Sequence, residues 1–83
     1  MPRYFFNLSI DGQMLPDQEG QVLPDADRAW EAARKAAKSL MKSKLGQPVN
    51  WLTSHFEVRD ENDEVVLEFP FLEAIEIGGG KPN

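Results

Sequence analysis

The sequence predicts an α+β fold in two layers, an antiparallel sheet covered on one face by a single long helix. Alternating apolar and polar residues occupy Arg3 to Ile10, Trp51 to Arg59 and Glu64 to Phe69, the period-two pattern of half-buried strands. Between them, Pro24 to Gly46 carries apolar residues at Ala26, Ala29, Trp30, Ala33, Ala36, Ala37, Leu40, Met41 and Leu45. That three-and-four spacing draws one stripe along a helix. Turn chemistry at Asp11-Gly12, Pro48 and Asp60 to Glu64 separates the segments. The expected order is ββ-α-ββ, closed by a short helical turn at Phe71 to Ile75.

The first strand places Tyr4, Phe6, Leu8 and Ile10 on one face and Arg3, Phe5, Asn7 and Ser9 on the other. Asp11-Gly12 then reverses the chain, because glycine accepts the positive φ of a tight turn. From Gln13 to Leu23 two apolar pairs, Met14-Leu15 and Val22-Leu23, flank Pro16-Asp17-Gln18-Glu19-Gly20. This reads as a second strand broken by a bend, since proline cannot donate to a ladder and Gly20 permits a bulge. In the helix, Asp25 is the expected N-cap, with Asp27 and Glu31 near the positive end of the dipole. Lys38, Lys42 and Lys44 lie near the negative end, and Gly46 provides a left-handed stop. The alanines permit close approach to the sheet, and Trp30 is expected to supply the bulk they lack.

Pro48 ends any helical continuation, and the strand from Trp51 to Arg59 follows with Leu52, Ser54, Phe56 and Val58 on its apolar face. A hairpin centred between Asn62 and Asp63 pairs Val58 with Leu67 and Phe56 with Phe69. A slip of one residue would set Glu68 against Phe56 and bury a charge, so the pattern selects the register. Glu57 then faces Glu68, a like-charge pair that Arg59 is placed to offset. Pro70 ends this strand. Residues 78–83 contain no apolar side chain and are expected to be a disordered tail beyond a single domain spanning 1–77.

With 83 residues there is room for one small core, and with no cysteine there is no disulfide framework, zinc-thiolate site or thiol nucleophile. That composition suits a reducing cytoplasm, and no segment has the length of a membrane span or the form of a signal peptide. Net charge of −5 disfavours attachment to nucleic acid or anionic lipid and makes a basic protein surface the natural complement.

The chain offers little to a catalyst. His55 is its only histidine, and no motif holds a serine near it, so no nucleophile–base pair can be argued and no enzymatic activity is expected. Asp60 to Glu64 has the oxygen ligands calcium needs, but it lacks the loop glycine, and Phe71 stands where the bidentate glutamate belongs. Gly78-Gly79-Gly80 follows no nucleotide-binding strand and opens no helix. No cofactor, metal or small-molecule ligand is therefore expected. What remains is an interaction surface: Phe5, Trp51 and His55 on the sheet face opposite the apolar set, and Arg28, Lys35, Lys38 and Lys42 along the outer helix. Either the C-terminal turn with Phe71 and Ile75, or strand curvature, covers Trp51 and Phe5, or the two are exposed together.

The opening Met1-Pro2-Arg3-Tyr4-Phe5-Phe6, the Asp11-Gly12 turn, Pro16 to Gly20 before Leu23-Pro24-Asp25, the alanine-rich helix, and Phe56-Glu57-Val58 leading to Val66-Leu67 and Pro70-Phe71 resemble a family of small bacterial domains of unknown function. The resemblance extends to about Ile75 and implies no activity. Tyr4 to Leu40 is also similar to the antitoxin half of HicA/HicB-type pairs, which implies binding and blocking of a small basic RNA-cleaving toxin. The expectation from the residues is a non-catalytic cytoplasmic interaction or regulatory domain acting through a sheet face or edge, on a protein partner or as a homodimer.

Overall fold

The computed structural model describes residues 1–43 and 48–75. Among the described residues, five strands, β1 (Arg3–Ile10), β2 (Gln13–Leu15), β3 (Gln21–Val22), β4 (His55–Arg59) and β5 (Val65–Pro70), accompany one helix, α1 (Ala26–Ser43). Short 3-10 turns occupy Trp51–Thr53 and Phe71–Ala74. All pairings are antiparallel in the order β2-β1-β4-β5, with β3 also on β1. The strands before and after the helix thus join in one sheet through β1 and β4. Three strands precede the helix rather than two, because the expected broken strand is two separate strands on the same edge of β1.

Alternation along β1 is as the sequence requires, with Tyr4, Phe6 and Ile10 buried and Arg3 exposed. The β4–β5 register pairs Val58 with Leu67, Phe56 with Phe69 and Glu57 with Glu68, and an irregularity then sets Arg59 opposite Val65. Asp60 makes that turn: its Oδ1 accepts from the Asn62 and Glu64 amides at 2.8 and 3.1 Å. Asp63 adopts φ 62°, a left-handed conformation that aspartate tolerates better than most residues. Pro70 falls inside β5 rather than after it. The Phe71 amide donates to Ser54 O at 3.0 Å, so by alternation Pro70 turns its backbone nitrogen away from β4, where the missing hydrogen breaks no ladder bond.

The strand expected from Trp51 begins only at His55. Asn50 decides this, because its Oδ1 accepts from the Leu52 amide at 3.2 Å and its carbonyl accepts from the Ser54 hydroxyl at 2.9 Å. Its own amide donates to Asp11 Oδ1 at 3.1 Å, tying the segment to the β1–β2 turn. Local side-chain bonds of this kind compete with the ladder and favour a turn. Leu52, assigned by alternation to the apolar face, is 70% exposed.

Helix α1 starts directly after the expected cap, where Asp25 Oδ1 accepts from the Arg28 amide at 2.9 Å and its carbonyl accepts from Ala29. Asp25→Ala should lower stability by about 1 kcal/mol in urea unfolding, the ordinary loss on removing such a cap. The helix turns Ala29, Ala33 and Ala37 to the sheet, all fully buried, while Ala26 and Ala36 are exposed. Trp30 does not fill the core. It is 40% exposed and meets Phe69 edge to face, at 5.5 Å between centroids. Bulk comes instead from Phe69, Phe71 and Val58, fully buried among Tyr4, Phe6 and Phe56. The tail at 78–83, the stop at Gly46 and the ends of Lys44 and Leu45 lie outside the described residues.

Candidate functional site

One helix covers one face of the sheet, so the opposite face is the surface that the fold leaves uncovered. Cross-strand pairing assembles it in rows. Phe5 stands beside Arg59, Asn7 beside Glu57 beside Glu68, and Ser9 beside His55 beside Pro70. These side chains on β1 and β4 are half-buried by their own neighbours.

The polar groups of this face are held in place. Arg59 Nε donates to Glu57 Oε1 at 2.8 Å, and its Nη1 donates to Asp63 O at 2.6 Å. The Arg59 hydrogen bond holds the Glu57 carboxyl below the ordinary carboxylate value, outweighing a small effect of burial, and the Asn7 side chain adds to it. The like-charge strain expected between Glu57 and Glu68 is thus relieved, but by Arg59 bonding along its own strand rather than diagonally to Glu68.

Between β2 and β3 the chain leaves the edge of β1, and Asp17 takes the place of a strand there. Its Oδ2 accepts from the Phe6 amide at 3.1 Å, and its Oδ1 accepts from the Glu19 and Gly20 amides, both at 3.1 Å. The Asp17 amide in turn donates to Asn7 Oδ1 at 2.9 Å. Burial pushes this carboxyl up, but the donations from Phe6, Gly20 and Glu19 together outweigh it, and the group lies below its ordinary value. The detour comes close enough that the Phe5 ring and the Tyr4 carbonyl border Gly20.

Phe5, Asn7, Pro16, Asp17, Arg59 and the acidic turn line a groove of about 330 Å³ at one end of the open face. Alternation placed Phe5, Asn7, Ser9, His55, Glu57 and Arg59 on this face, but of these only Phe5 and His55 were expected in the interaction surface, and Asp17 was not expected beside them. The signal was present in Pro16 to Gly20, whose aspartate two residues before Glu19 and three before Gly20 is spaced to cap a turn. Ser9 was missed as the cross-strand neighbour of His55, an adjacency that only the β1–β4 register creates.

Trp51 belongs elsewhere. It stacks on Phe71 at 5.2 Å with 10° between planes, and Phe71 stacks on Phe56 at 5.2 Å, so Trp51 caps the core side. It shares no surface with Phe5. The C-terminal turn covers Trp51, as one of the two expectations had it, while Phe5 is flanked by the Asp17 loop. Arg28, Lys35 and Lys42 are exposed on α1 and Lys38 is partly so; Arg28 lies 3.7 Å from Glu31. This is a second surface, on the opposite side of the molecule from His55.

Among the described residues no group of three His, Cys, Asp or Glu is arranged to hold a metal ion, and no helix is long and apolar enough to cross a membrane. On the open face Arg59 bonds both Glu57 and the Asp63 carbonyl. No curated protein and no solved structure matches the chain. The partial likeness to HicB-type antitoxins therefore gains nothing from these comparisons. The family model described as a domain of unknown function, DUF6894, matches residues 3–72, which take in every strand and the helix, and the chain belongs to that family.

Proposed function

We propose that this domain is a non-catalytic interaction module that contacts a protein partner through the open face of β1 and β4. The supporting observation is the uncovered face itself, on which Phe5, Ser9, His55 and Glu57 form a row-ordered surface with an aromatic and acidic groove at one end. A face of this kind suits recognition better than turnover, because acyl or phosphoryl transfer needs a nucleophile, base and orienting group bonded in sequence inside a pocket.

The edges suit recognition less. β5 is six residues long, is irregular opposite Val58 and Arg59 and ends on Pro70, and the other edge is split between three-residue β2 and two-residue β3. Edges this short and interrupted resist strand addition. The face is thus the better docking surface, and a chain of net −5 favours a basic partner in the cytoplasm.

Affinity capture from extract with the wild-type chain and the double variant His55→Ala/Glu68→Lys tests this reading. The wild type should retain a partner that the variant loses, with both giving the same circular dichroism. Retention by both proteins alike, or by neither, would remove the face from consideration.

A further inference from the structure

The charges of this acidic chain are sorted in space. Five of its nine cations, Arg28, Arg34, Lys35, Lys38 and Lys42, lie within α1, which carries only two carboxylates, Asp27 and Glu31. The β4–β5 turn is the converse, with Asp60, Glu61, Asp63 and Glu64 within five residues at the tip of a hairpin. Beside the helical cations, Trp30, Glu31, Arg34 and Lys35 line a hollow of about 400 Å³.

We infer that the acidic hairpin tip of one copy docks on the basic face of α1 in a second copy, with the Trp30 hollow receiving the tip. This deepens the reading of the domain as an interaction module and rests on it. Charge complementarity selects the occupant. Helix against helix would bring the cations together, tip against tip would bring the carboxylates together, and like charges across a contact repel. Strand-edge pairing is blunted on both sides of the sheet, as described above. The contact that charge favours for two copies joins the unlike surfaces of tip and helix, and it presents a half-exposed indole to be buried beside the cations. Because the two surfaces differ, the contact is heterologous, closing into a dimer only if both copies reach each other.

Sedimentation velocity on the full chain tests the inference, with variants that reverse charge at exposed positions. Glu61 and Glu64 are chosen for the tip, since Asp60 and the Asp63 carbonyl build the turn. Self-association should weaken at least about tenfold between about 50 and about 500 mM salt. Lys35→Glu/Lys42→Glu alone and Glu61→Lys/Glu64→Lys alone should each be monomeric, and an equimolar mixture of the two should associate. In a Trp51→Phe background, which isolates Trp30, association should shift the indole emission to the blue. A wild-type chain that stays monomeric, a self-association indifferent to salt and to both reversals, or a mixture that stays monomeric would overturn the inference. Capture of another protein by the open sheet face under those same conditions would leave the broader reading standing. Failure of that capture, with self-association confirmed, would do the reverse.

Discussion

Replacing Gly20 with alanine should remove about 3 kcal/mol of unfolding free energy. Gly20 has φ +71°, a left-handed conformation that costs an alanine about 1 kcal/mol. The larger part is steric. A Cβ built there would lie 2.8 Å from the carbonyl oxygen of Tyr4 and 3.0 Å from Arg3 Cγ and Phe5 Cε2. The first of these is main chain of the central strand β1, and it cannot yield without disturbing the β1–β3 pairing of Arg3 with Val22 and Tyr4 with Gln21. Gly12 supplies the control, because its φ is +76° but nothing stands within 4 Å of its Cβ position. Gly12→Ala should therefore cost only the conformational part, about 1 kcal/mol. In urea unfolding the midpoints of the two variants should separate clearly, and in a domain of this size about 3 kcal/mol corresponds to a fall of roughly 12–24 °C in Tm. Equal losses in both variants would show that the close approach of the Asp17 loop to β1 contributes nothing.

The second large effect concerns Asp17. Asp17→Ala should cost about 2 kcal/mol at neutral pH, because the Phe6, Gly20 and Glu19 amides lose their acceptor together and no strand pairs with Phe6 on that edge of β1 to replace it. Solvent reaches part of the carboxylate, which keeps the figure well below three full desolvation penalties. Asp17→Asn should lose less, since one oxygen still accepts. The same bonds give the wild type a pH dependence whose direction is fixed by the lowered pKa. A carboxyl held below its ordinary value binds its proton more weakly when folded than when unfolded, so the unfolded chain takes up the proton first. The contribution is complete above the ordinary aspartate value of 3.8 and disappears as pH falls through the lower, folded value. Glu57, also lowered, acts in the same direction from its ordinary value of 4.5. Unfolding followed from pH 7 to pH 2 should therefore show a steeper acid loss in the wild type than in Asp17→Asn. Superimposable acid limbs would mean that Asp17 does not support the fold through its charge.

Both predictions act on one construction, the stitching of Pro16 to Gly20 onto β1, and that construction frames the proposed interaction face. Asp17 bonds the Phe6 amide and the Asn7 side chain, and Gly20 lies against the Phe5 ring, so the loop borders the outward side chains of β1. A destabilised loop should accordingly weaken partner capture as well as stability, whereas Asp25→Ala, at the far layer, should affect stability alone.

The amino-acid sequence by itself determined whatever depends on periodicity and nearest neighbours. The faces of β1, the Asp25 cap, the β4–β5 register and the break in the second strand all follow from local spacing, because a wrong register or face would bury a charge at once. Tertiary structure decided the rest. Alternation placed Trp51 in a strand, but Asn50 and Ser54 bonded locally and Asp11 anchored them from 39 residues away, so the segment turned. Trp30 lies on the apolar stripe by spacing, yet the alanines draw the helix so near the sheet that a large indole is left at the flank beside Phe69. The open face also belongs to tertiary structure, since Ser9 and His55, or Phe5 and Arg59, become neighbours only when β1 pairs with β4 across the helix. Contacts between residues some fifty positions apart are set by how layers pack, and no local pattern carries that information.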